Sequence, residues 1–340
     1  MAVKRLLLIW ILVLSFQSVF AGDDEQTRYD QFLEHLKKPY FKLDLLLQTV
    51  GDFQIERSFS GTSGFSIATL RVRISGKLDY GFGYFIQTNL IRNRPLLDAF
   101  ISYHYSPQLI IDVGQFKAPF SGEFLTYAAD IDFVDRAQVV NVLVPGRQQG
   151  IMTRGELVEK SLFYRFGLFN GNGLNGDPND NNRYLYAARL TFMSGAFQAS
   201  ANLANSEDNS LSLNGFGSIS KFTGKRRLAG VEFRWTPGNA LIAAEWIGGT
   251  FNGVFDGIED KFKPAGFHVT AGYFVLNNLQ LLLRYDRFRP DASLDKSQYL
   301  IIGSNILLSK PVSLQLNYYT DLNDSIFKHQ RLLLNFQLSL

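Results

Sequence analysis

Several arginines and lysines in this sequence are placed where they could bind an anion. Arg71 and Arg73 stand two residues apart in the run LRVRIS, so on a β-strand both side chains would point to the same face. The surrounding residues, 65–75, include no acid that could neutralise them within that strand. Arginine and lysine bind phosphate and carboxylate groups through charge-assisted hydrogen bonds. The candidate anion path comprises Arg71, Arg73, Lys117, Arg136, Arg147, Arg154, Arg165 and Arg189.

β-Strands are the elements that must position these side chains. The chain alternates apolar and polar residues over segments of about ten residues, and turn residues separate the segments. The alternation predicts strands at residues 40–50, 65–75, 82–91, 96–105, 109–115, 149–157, 161–169, 183–193, 196–205, 227–236, 240–249, 267–276, 279–288, 298–308, 312–320 and 331–340. Their connections are mostly short and long in turn, which is typical of an outer-membrane barrel with short periplasmic turns and longer external loops.

The predicted fold is an all-β, transmembrane antiparallel β-barrel of about 16 strands. Such a chain must close on itself, because lipid offers no partner to backbone N–H and C=O groups. A barrel of this size encloses a water-filled lumen, which the polar face of each strand would line. A purely structural role also stays open for some lumen charges, as ion pairs along single strands. The three candidate pairs are Arg154/Glu156, Glu232/Arg234 and Arg284/Asp286.

One connection, residues 116–150, is long enough to fold on its own. It lacks clean alternation but is rich in Phe, Ala and Val, so we predict a constriction loop folded inward against the barrel wall. Charges at a constriction set the ion preference of a pore. The charged residues of the loop are the bases Lys117, Arg136 and Arg147 and the acids Glu123, Asp130, Asp132 and Asp135. Four acids against three bases argue against strong selectivity for phosphate.

The same loop carries a family resemblance. The run GQFKAPFSGEFL…DIDFVDRAQVVN…PGRQ, residues 114–148, resembles the phosphate-selective porin O and P family of bacterial outer membranes. The runs FSIATLRVRISGKL and YFIQTNL…LLDAFISYHY, which precede it, look like early strands of that family. The resemblance implies a porin for passive diffusion of small hydrophilic solutes, passage of anions or phosphate along basic side chains, and a homotrimer in outer-membrane lipid.

The start of the chain predicts export. Lys4 and Arg5 precede an apolar run, and Val19-Phe20-Ala21 is typical of a cleavage site, so residues 1–21 are predicted to form a signal peptide. Residues 22–38 would form a periplasmic leader, either a short helix or a loosely ordered segment.

Residues 39–340 would then form the barrel, which we expect in the bacterial outer membrane. Without Lys4 and Arg5 the 34 basic residues fall to 32, against 31 acids. The resulting net charge of +1 argues against a nucleic-acid partner.

Enzyme chemistry has little support in the sequence. There is no Cys, there are four His, and no HExxH, GxSxG or P-loop pattern occurs. His104 and His268 are predicted to be isolated, solvated residues of the lumen wall. We therefore predict a channel rather than an enzyme, with no cofactor and no metal. Two alternatives stay open: a general, non-selective porin, and a barrel enzyme that acts on lipid or polysaccharide.

Overall fold

The computed structural model describes residues 36–54, 63–176, 179–323 and 330–340, together with residues 30 and 34. The predicted signal peptide and most of the predicted leader lie outside the described residues, so both stay predictions. Among the residues that the structure describes, no helix is long and apolar enough to cross a membrane.

Sixteen antiparallel strands form one closed wall in the described part of the chain. They are β1 (Phe41–Gln54), β2 (Gly64–Lys77), β3 (Phe82–Asn89), β4 (Leu96–Ser106), β5 (Leu109–Lys117), β6 (Arg147–Val158), β7 (Leu162–Phe169), β8 (Leu185–Ser194), β9 (Phe197–Ser212), β10 (Lys221–Trp235), β11 (Ala240–Phe255), β12 (Ala265–Leu276), β13 (Leu279–Arg289), β14 (Ser297–Ser309), β15 (Val312–Asp321) and β16 (Gln330–Ser339). Each strand pairs with the next, and β16 pairs with β1, where Leu338 lies opposite Leu47. This closure leaves no edge strand in lipid and confirms the predicted sixteen-stranded barrel.

The strands on the external side extend further than the alternation predicted. The short turns and the C-terminus lie at one end of the barrel, the periplasmic end, and most of the long connections lie at the other. Beyond β11, a short strand, Ile258–Phe262, folds back on the end of β11 as an external hairpin. Asp256 and Gly257 form its turn, with φ angles of 45° and 93°. Positive φ at both central residues is the type I′ geometry for which Asp-Gly is a sequence signal, and alternation alone missed it.

Alternation along each strand separates the lumen from the lipid. On β10, Val231 is 55% exposed on the outer face, whereas its neighbour Glu232 points inward and forms a salt bridge with Arg189. Side chains two residues apart share a face of the sheet. The direction of one inward charge therefore fixes the direction of its neighbours along the strand.

The long connection between β5 and β6 folds into the barrel, as predicted. It contains two short helices, α1 (Gly122–Leu125) and α2 (Gln138–Leu143). Phe133 is fully buried and packs with Leu282 and Leu333 of the opposite wall, and α2 contacts β11, β12 and β13. The apolar residues that set this segment apart in the sequence are the ones that pack it against the wall.

The loop is shorter than the predicted range of 116–150. β5 continues to Lys117, β6 begins at Arg147, and these two residues lie directly opposite each other in the strand pairing. Lys117 and Arg147 are therefore strand residues at the base of the loop. Of the three predicted loop bases, only Arg136 lies within the loop itself.

Candidate functional site

A cavity of about 300 Å³ lies between the loop and the wall formed by β2 to β7. Six of the eight predicted anion-path residues line it, and we call this group the basic wall: Arg71, Arg73, Lys117, Arg147, Arg154 and Arg165. Asp98 and Asp112 also line the cavity. The structure thus brings most of the predicted site together in one place.

Three arginines stand side by side across β6, β7 and β8. Arg154 lies directly opposite Arg165, and Arg165 lies directly opposite Arg189. Like charges directly opposite each other on neighbouring strands destabilise a sheet. A row of this kind therefore favours a role in binding over a role in holding the wall together.

Carboxylates on nearby strands hold three cations of the basic wall in place, on the adjacent strand for Arg73 and Arg154 and two strands away for Arg147. The contacts are Arg73 Nε to Asp44 (2.8 Å), Arg147 Nε and Nη2 to Asp98 (2.9 Å each), and Arg154 Nε to Asp112 (2.6 Å). Each pair fixes the direction of its guanidinium group and neutralises its charge in part.

The ion pairs expected within single strands do not occur among the described residues, so that prediction was wrong. Each arginine bonds instead to an acid on another element: Arg154 to Asp112, Arg234 to Asp132, and Arg284 to Glu123. Residues two apart along a strand are separated by roughly 7 Å, whereas directly opposed side chains are only about 5 Å apart. Acids on neighbouring strands, or on the inward loop, are therefore the nearer partners.

Arg71 and Arg165 have no salt bridge and no hydrogen bond to any described residue. The Arg71 side chain is only 9% exposed, and its Nε atom is buried without a partner. The Arg165 side chain is exposed on the lumen side. A guanidinium group carries five N–H donors, so these two side chains keep donors free for a solute.

Lys117 and Arg136 are committed to the loop instead. The ammonium group of Lys117 donates to the carbonyls of Phe124, Leu125 and Thr126 at 2.6, 3.2 and 3.0 Å. Arg136 donates to two carbonyls of the same turn. The two cations therefore cap the negative end of α1. An ammonium has three hydrogens, so Lys117 adds charge to the cavity but no free donor, which corrects its predicted role as a direct anion ligand.

Arg189 lies outside the lining of the cavity, in a network of its own. Its guanidinium donates to Asn202 at 2.6 Å and to Ser200 at 2.9 Å, and it forms a salt bridge with Glu232. Its side chain is buried. Arg189 thus completes the row of arginines, but with most of its donors already used.

On the far side of the loop, a second set of charges fastens it to the opposite wall. Three of the four loop acids are paired there, and we call these pairs the anchor: Glu123 with Arg284 (2.6 Å), Asp132 with Arg234 (2.7 Å) and Asp135 with Arg331 (3.2 Å). Asp130 is exposed and has no salt bridge to a described residue. Three of the four loop carboxylates, which argued against anion selectivity in the sequence, are therefore bonded to arginines outside the basic wall.

Glu123 makes the most buried contact of the anchor. Its carboxylate accepts a hydrogen bond from the Ala137 N–H at 2.9 Å, and Arg284 is only 1% exposed. Burial acts to raise the pKa of Glu123, but the charges of Arg284 and His268 hold that pKa below its ordinary value. The loop is thus attached through an ionised carboxylate.

His268 is not the isolated, solvated residue that the sequence predicted. It is buried, and its Nε2 atom lies 3.7 Å from Glu123 and 3.6 Å from Glu245. His104, in contrast, is exposed. The described residues contain no cluster of His, Asp and Glu side chains arranged to hold a metal ion.

The closed wall and inward loop agree with a family-wide sequence comparison. The phosphate-selective porin O and P family matches residues 49–332, which is most of the chain. The chain belongs to this family. It is an outer-membrane porin, as the resemblance in its loop implied. No curated protein sequence matches it.

Solved porin structures share the fold of this porin. The anion-selective porin from Comamonas acidovorans is 14% identical, with a TM-score of 0.67 over 88% of this chain and 99% of that one. The outer membrane channel DcaP of Acinetobacter baumannii is 14% identical, with a TM-score of 0.62 over 88% and 97%. The in-vitro folded OmpT of Vibrio cholerae, in its trimer form, is 11% identical, with a TM-score of 0.64 over 88% and 99%. At these identities the likeness shows the fold alone.

The constriction of this porin therefore has two unlike sides. The basic wall offers N–H donors that no described residue occupies, whereas the anchor arginines are already bonded to loop carboxylates. The period of two along the strands predicted which arginines face the lumen. Their partners come from elements that are distant in sequence, so no local pattern marked them.

Proposed function

We propose that this porin lets small hydrophilic anions diffuse across the outer membrane in preference to cations, and that inorganic phosphate is one of them. The observation that carries the proposal is the separation of charge at the constriction. Arg71 and Arg165 keep free donors on one side of the loop, while three loop carboxylates are bonded to arginines on the other.

The electrostatic balance of the cavity favours anions. Five arginines line it and three carboxylates are bonded to three of them, so the arginines alone leave a net positive charge of two. Rows of like charge at a constriction set the ion preference, and low-dielectric walls focus the field of such a row on the passing ion. The near-neutral charge of the whole chain is no obstacle, because placement decides the local field.

Phosphate also suits the hydrogen-bonding groups of the basic wall. Its oxygens accept hydrogen bonds from guanidinium groups, and Arg71 and Arg165 have donors to give. Conduction requires binding that is favourable enough for entry yet weak enough for release. The carboxylates beside Arg73, Arg147 and Arg154 weaken the attraction, so they support passage rather than tight capture.

We further propose that the mature porin assembles as a homotrimer in outer-membrane lipid after removal of residues 1–21. The trimer form of OmpT, which shares the fold, supports this assembly. The basic start and the apolar run of the predicted signal peptide support the export route. The Comamonas acidovorans porin, which shares the fold, is anion-selective, and this supports the ion preference.

The test is planar-bilayer recording of the refolded mature porin across a salt gradient, with phosphate added as a blocker. The expected reversal potential has the sign of an anion current, and phosphate lowers the chloride conductance. The double variant Arg71→Gln/Arg165→Gln moves the reversal potential towards zero, because it removes two charges and the free donors. Arg287→Gln changes an outward-facing arginine of β13 and is the matched control, which leaves the potential unchanged.

Other outcomes would separate the alternatives. A wild-type reversal potential near zero would overturn the anion preference and leave a general, non-selective porin. Anion selectivity without any block by phosphate would remove phosphate from the proposal. A correctly folded protein without conductance would contradict the channel and favour a barrel enzyme instead.

A further inference from the structure

The outer face of the barrel carries an apolar groove that the pore does not use. It has a volume of about 850 Å³ and crosses the strands from β7 to β12. Its floor includes the small residues Ala199, Ala201 and Ala244, and bulky residues such as Leu190 and Trp246 flank them. These residues face lipid, so the groove has the apolar lining that a hydrocarbon chain prefers.

A polar pocket of about 330 Å³ lies on the same face, nearer the external ends of β9 and β10 than the groove. Its lining includes the cations Arg183, Lys225 and Arg227, together with Tyr184 and Tyr186. Tyrosines on the outer face of a barrel belong to the belt that lies level with the lipid head groups. The cations of this pocket therefore lie where a head group would be.

The charge of this pocket is unbalanced. Glu207, the acid in its lining, approaches Arg183 to 3.7 Å. Lys225 and Arg227 are exposed and form no salt bridge with a described residue. Arg226 between them points inward and is bonded to an acid there, so both neighbours point outward. Two cations are thus free for an anion that arrives from the membrane.

The pocket and the groove follow each other along β10. Arg227 and Val231 share the outer face and are four residues apart, a distance of roughly 13 Å along a strand. Between them lies Ala229, which is opposite Leu203 of β9 and Gly248 of β11, and the indole ring of Trp246, which lines the groove, lies over Gly248. A lipid whose phosphate met Arg227 would have its acyl chains level with the groove.

We propose that this face holds one lipid of the outer leaflet, with a phosphate of its head group bound by Arg183, Lys225 and Arg227 and an acyl chain lying in the groove. The cations supply charge-assisted hydrogen bonds to the phosphate. The groove separates the bound acyl chain from the disordered acyl chains of the neighbouring lipids. The site lies outside the lumen, so it is independent of the solute that the pore passes.

A second copy of the chain fits this face less well than a lipid. A protein surface packed here would bury Lys225 and Arg227 away from water, and an unpaired buried charge is costly. A phosphate-bearing lipid brings both the negative charge and the apolar chain that the face requires.

The test is native mass spectrometry of the detergent-solubilised full-length porin, titrated with diphosphorylated lipid A and with the same lipid after removal of its phosphates. We expect the phosphorylated form to bind roughly thirtyfold more tightly, because two surface cations contact its phosphate. Lys225→Gln/Arg227→Gln lowers its affinity to that of the dephosphorylated form. Arg287→Gln/Arg289→Gln, which removes two outward cations of β13 outside the pocket, leaves it unchanged.

A second pair of variants tests the groove. Ala201→Phe fills the floor, so we expect it to weaken the binding of both lipid forms by roughly tenfold. Ala271→Phe places the same side chain on the outer face of β12, outside the groove, and is the matched control. Heat-modifiable migration on a gel checks that each variant is folded, and the single variants Lys225→Gln and Arg227→Gln replace the double variant if it is not.

Three outcomes would overturn the proposal. The first is equal affinity for the two lipid forms or unchanged binding in Lys225→Gln/Arg227→Gln. The second is displacement of the lipid by inorganic phosphate at a similar concentration, which would indicate a site for the free anion. The third is loss of the oligomer in that variant with lipid binding intact, which would assign the face to a contact between copies.

Discussion

The two sides of the constriction loop hold similar residues in opposite states. On the anchor side, Arg284 is buried and bonded to the loop carboxylate of Glu123. On the basic wall, Arg71 and Arg165 have no carboxylate partner among the described residues. Three other arginines each form a salt bridge with a carboxylate and still line the cavity. The same residue type attaches the loop on one side and, in the proposed function, contacts the solute on the other.

Under the proposed function, pairing rather than residue type separates the charges that hold the loop from those that meet the solute. A buried pair fixes geometry and offers no donor to a solute, because the unbonded Nη1 of Arg284 is itself buried, whereas an unpaired lumen cation keeps both its charge and its donors. Four single substitutions test this difference, and they are given in order of decreasing predicted effect.

The largest effect should come from cutting the anchor with Glu123→Gln. The change leaves Arg284 buried without its carboxylate, and removing one partner of a buried pair costs about 3–5 kcal/mol. We expect the loop to leave the opposite wall, the single-channel conductance to rise and the temperature of heat-modifiable migration to fall. Asp130→Asn, which alters the exposed loop acid, is the control. Equal effects of the two variants would contradict the anchor.

The next effect should come from Lys117→Met, which removes the cap of α1. Hydrogen bonds to charged groups contribute about 1.5–3 kcal/mol, so we expect lower stability and more conductance levels as the loop moves. Because the donors of Lys117 are already used, phosphate block should weaken less than in Arg71→Gln. Bilayer recordings of the two variants make the comparison. A greater loss of block in Lys117→Met would restore Lys117 as a direct ligand.

Asp112→Asn should have the opposite effect and strengthen the binding of phosphate to the basic wall. It frees Arg154 from its carboxylate, so the row of arginines gains another uncompensated charge. We expect phosphate to block at roughly fivefold lower concentration, which corresponds to about 1 kcal/mol. Glu156→Gln alters an inward acid that forms no salt bridge with a described residue, and it serves as the control. An unchanged block in Asp112→Asn would place Arg154 outside the solute path.

The smallest effect should come from Arg73→Gln, compared with Arg71→Gln. Both variants remove one charge from β2, but Arg73 is bonded to Asp44 and Arg71 is not. The stability change should stay below about 1 kcal/mol, because the pair is partly solvated. We expect phosphate block to weaken less in Arg73→Gln. If the two variants behave alike, net charge rather than free donors controls the block.

The fold could be predicted from the sequence because the pattern that specifies it lies within short segments of the chain. Period-two alternation gave the strands and the direction of side chains such as Arg71 and Arg165, and an apolar, non-alternating segment gave the inward loop. Where the signal was local but overlooked, as with Asp256-Gly257, the hairpin was missed.

The acids that pair with the arginines could not be predicted in the same way. Arg284 and Glu123 are 161 residues apart, and Arg234 and Asp132 are 102 apart. Their contacts exist only after the barrel closes and the loop crosses it, so reasoning from neighbours along one strand chose the wrong acids. The same holds for His268, whose acidic neighbours come from the loop and from β11.

The loop has a mechanical consequence for the barrel as a whole. Besides the anchor, Asn305 of β14, Gln315 of β15 and Gln48 of β1 each donate a side-chain N–H to a loop carbonyl, at 3.0, 3.0 and 3.3 Å. The loop, which connects β5 to β6, is therefore hydrogen-bonded to strands on the opposite side of the barrel. The lateral pressure of the bilayer cannot flatten the barrel without stretching these hydrogen bonds. The width of the passage is thus set by the protein and not by the membrane around it.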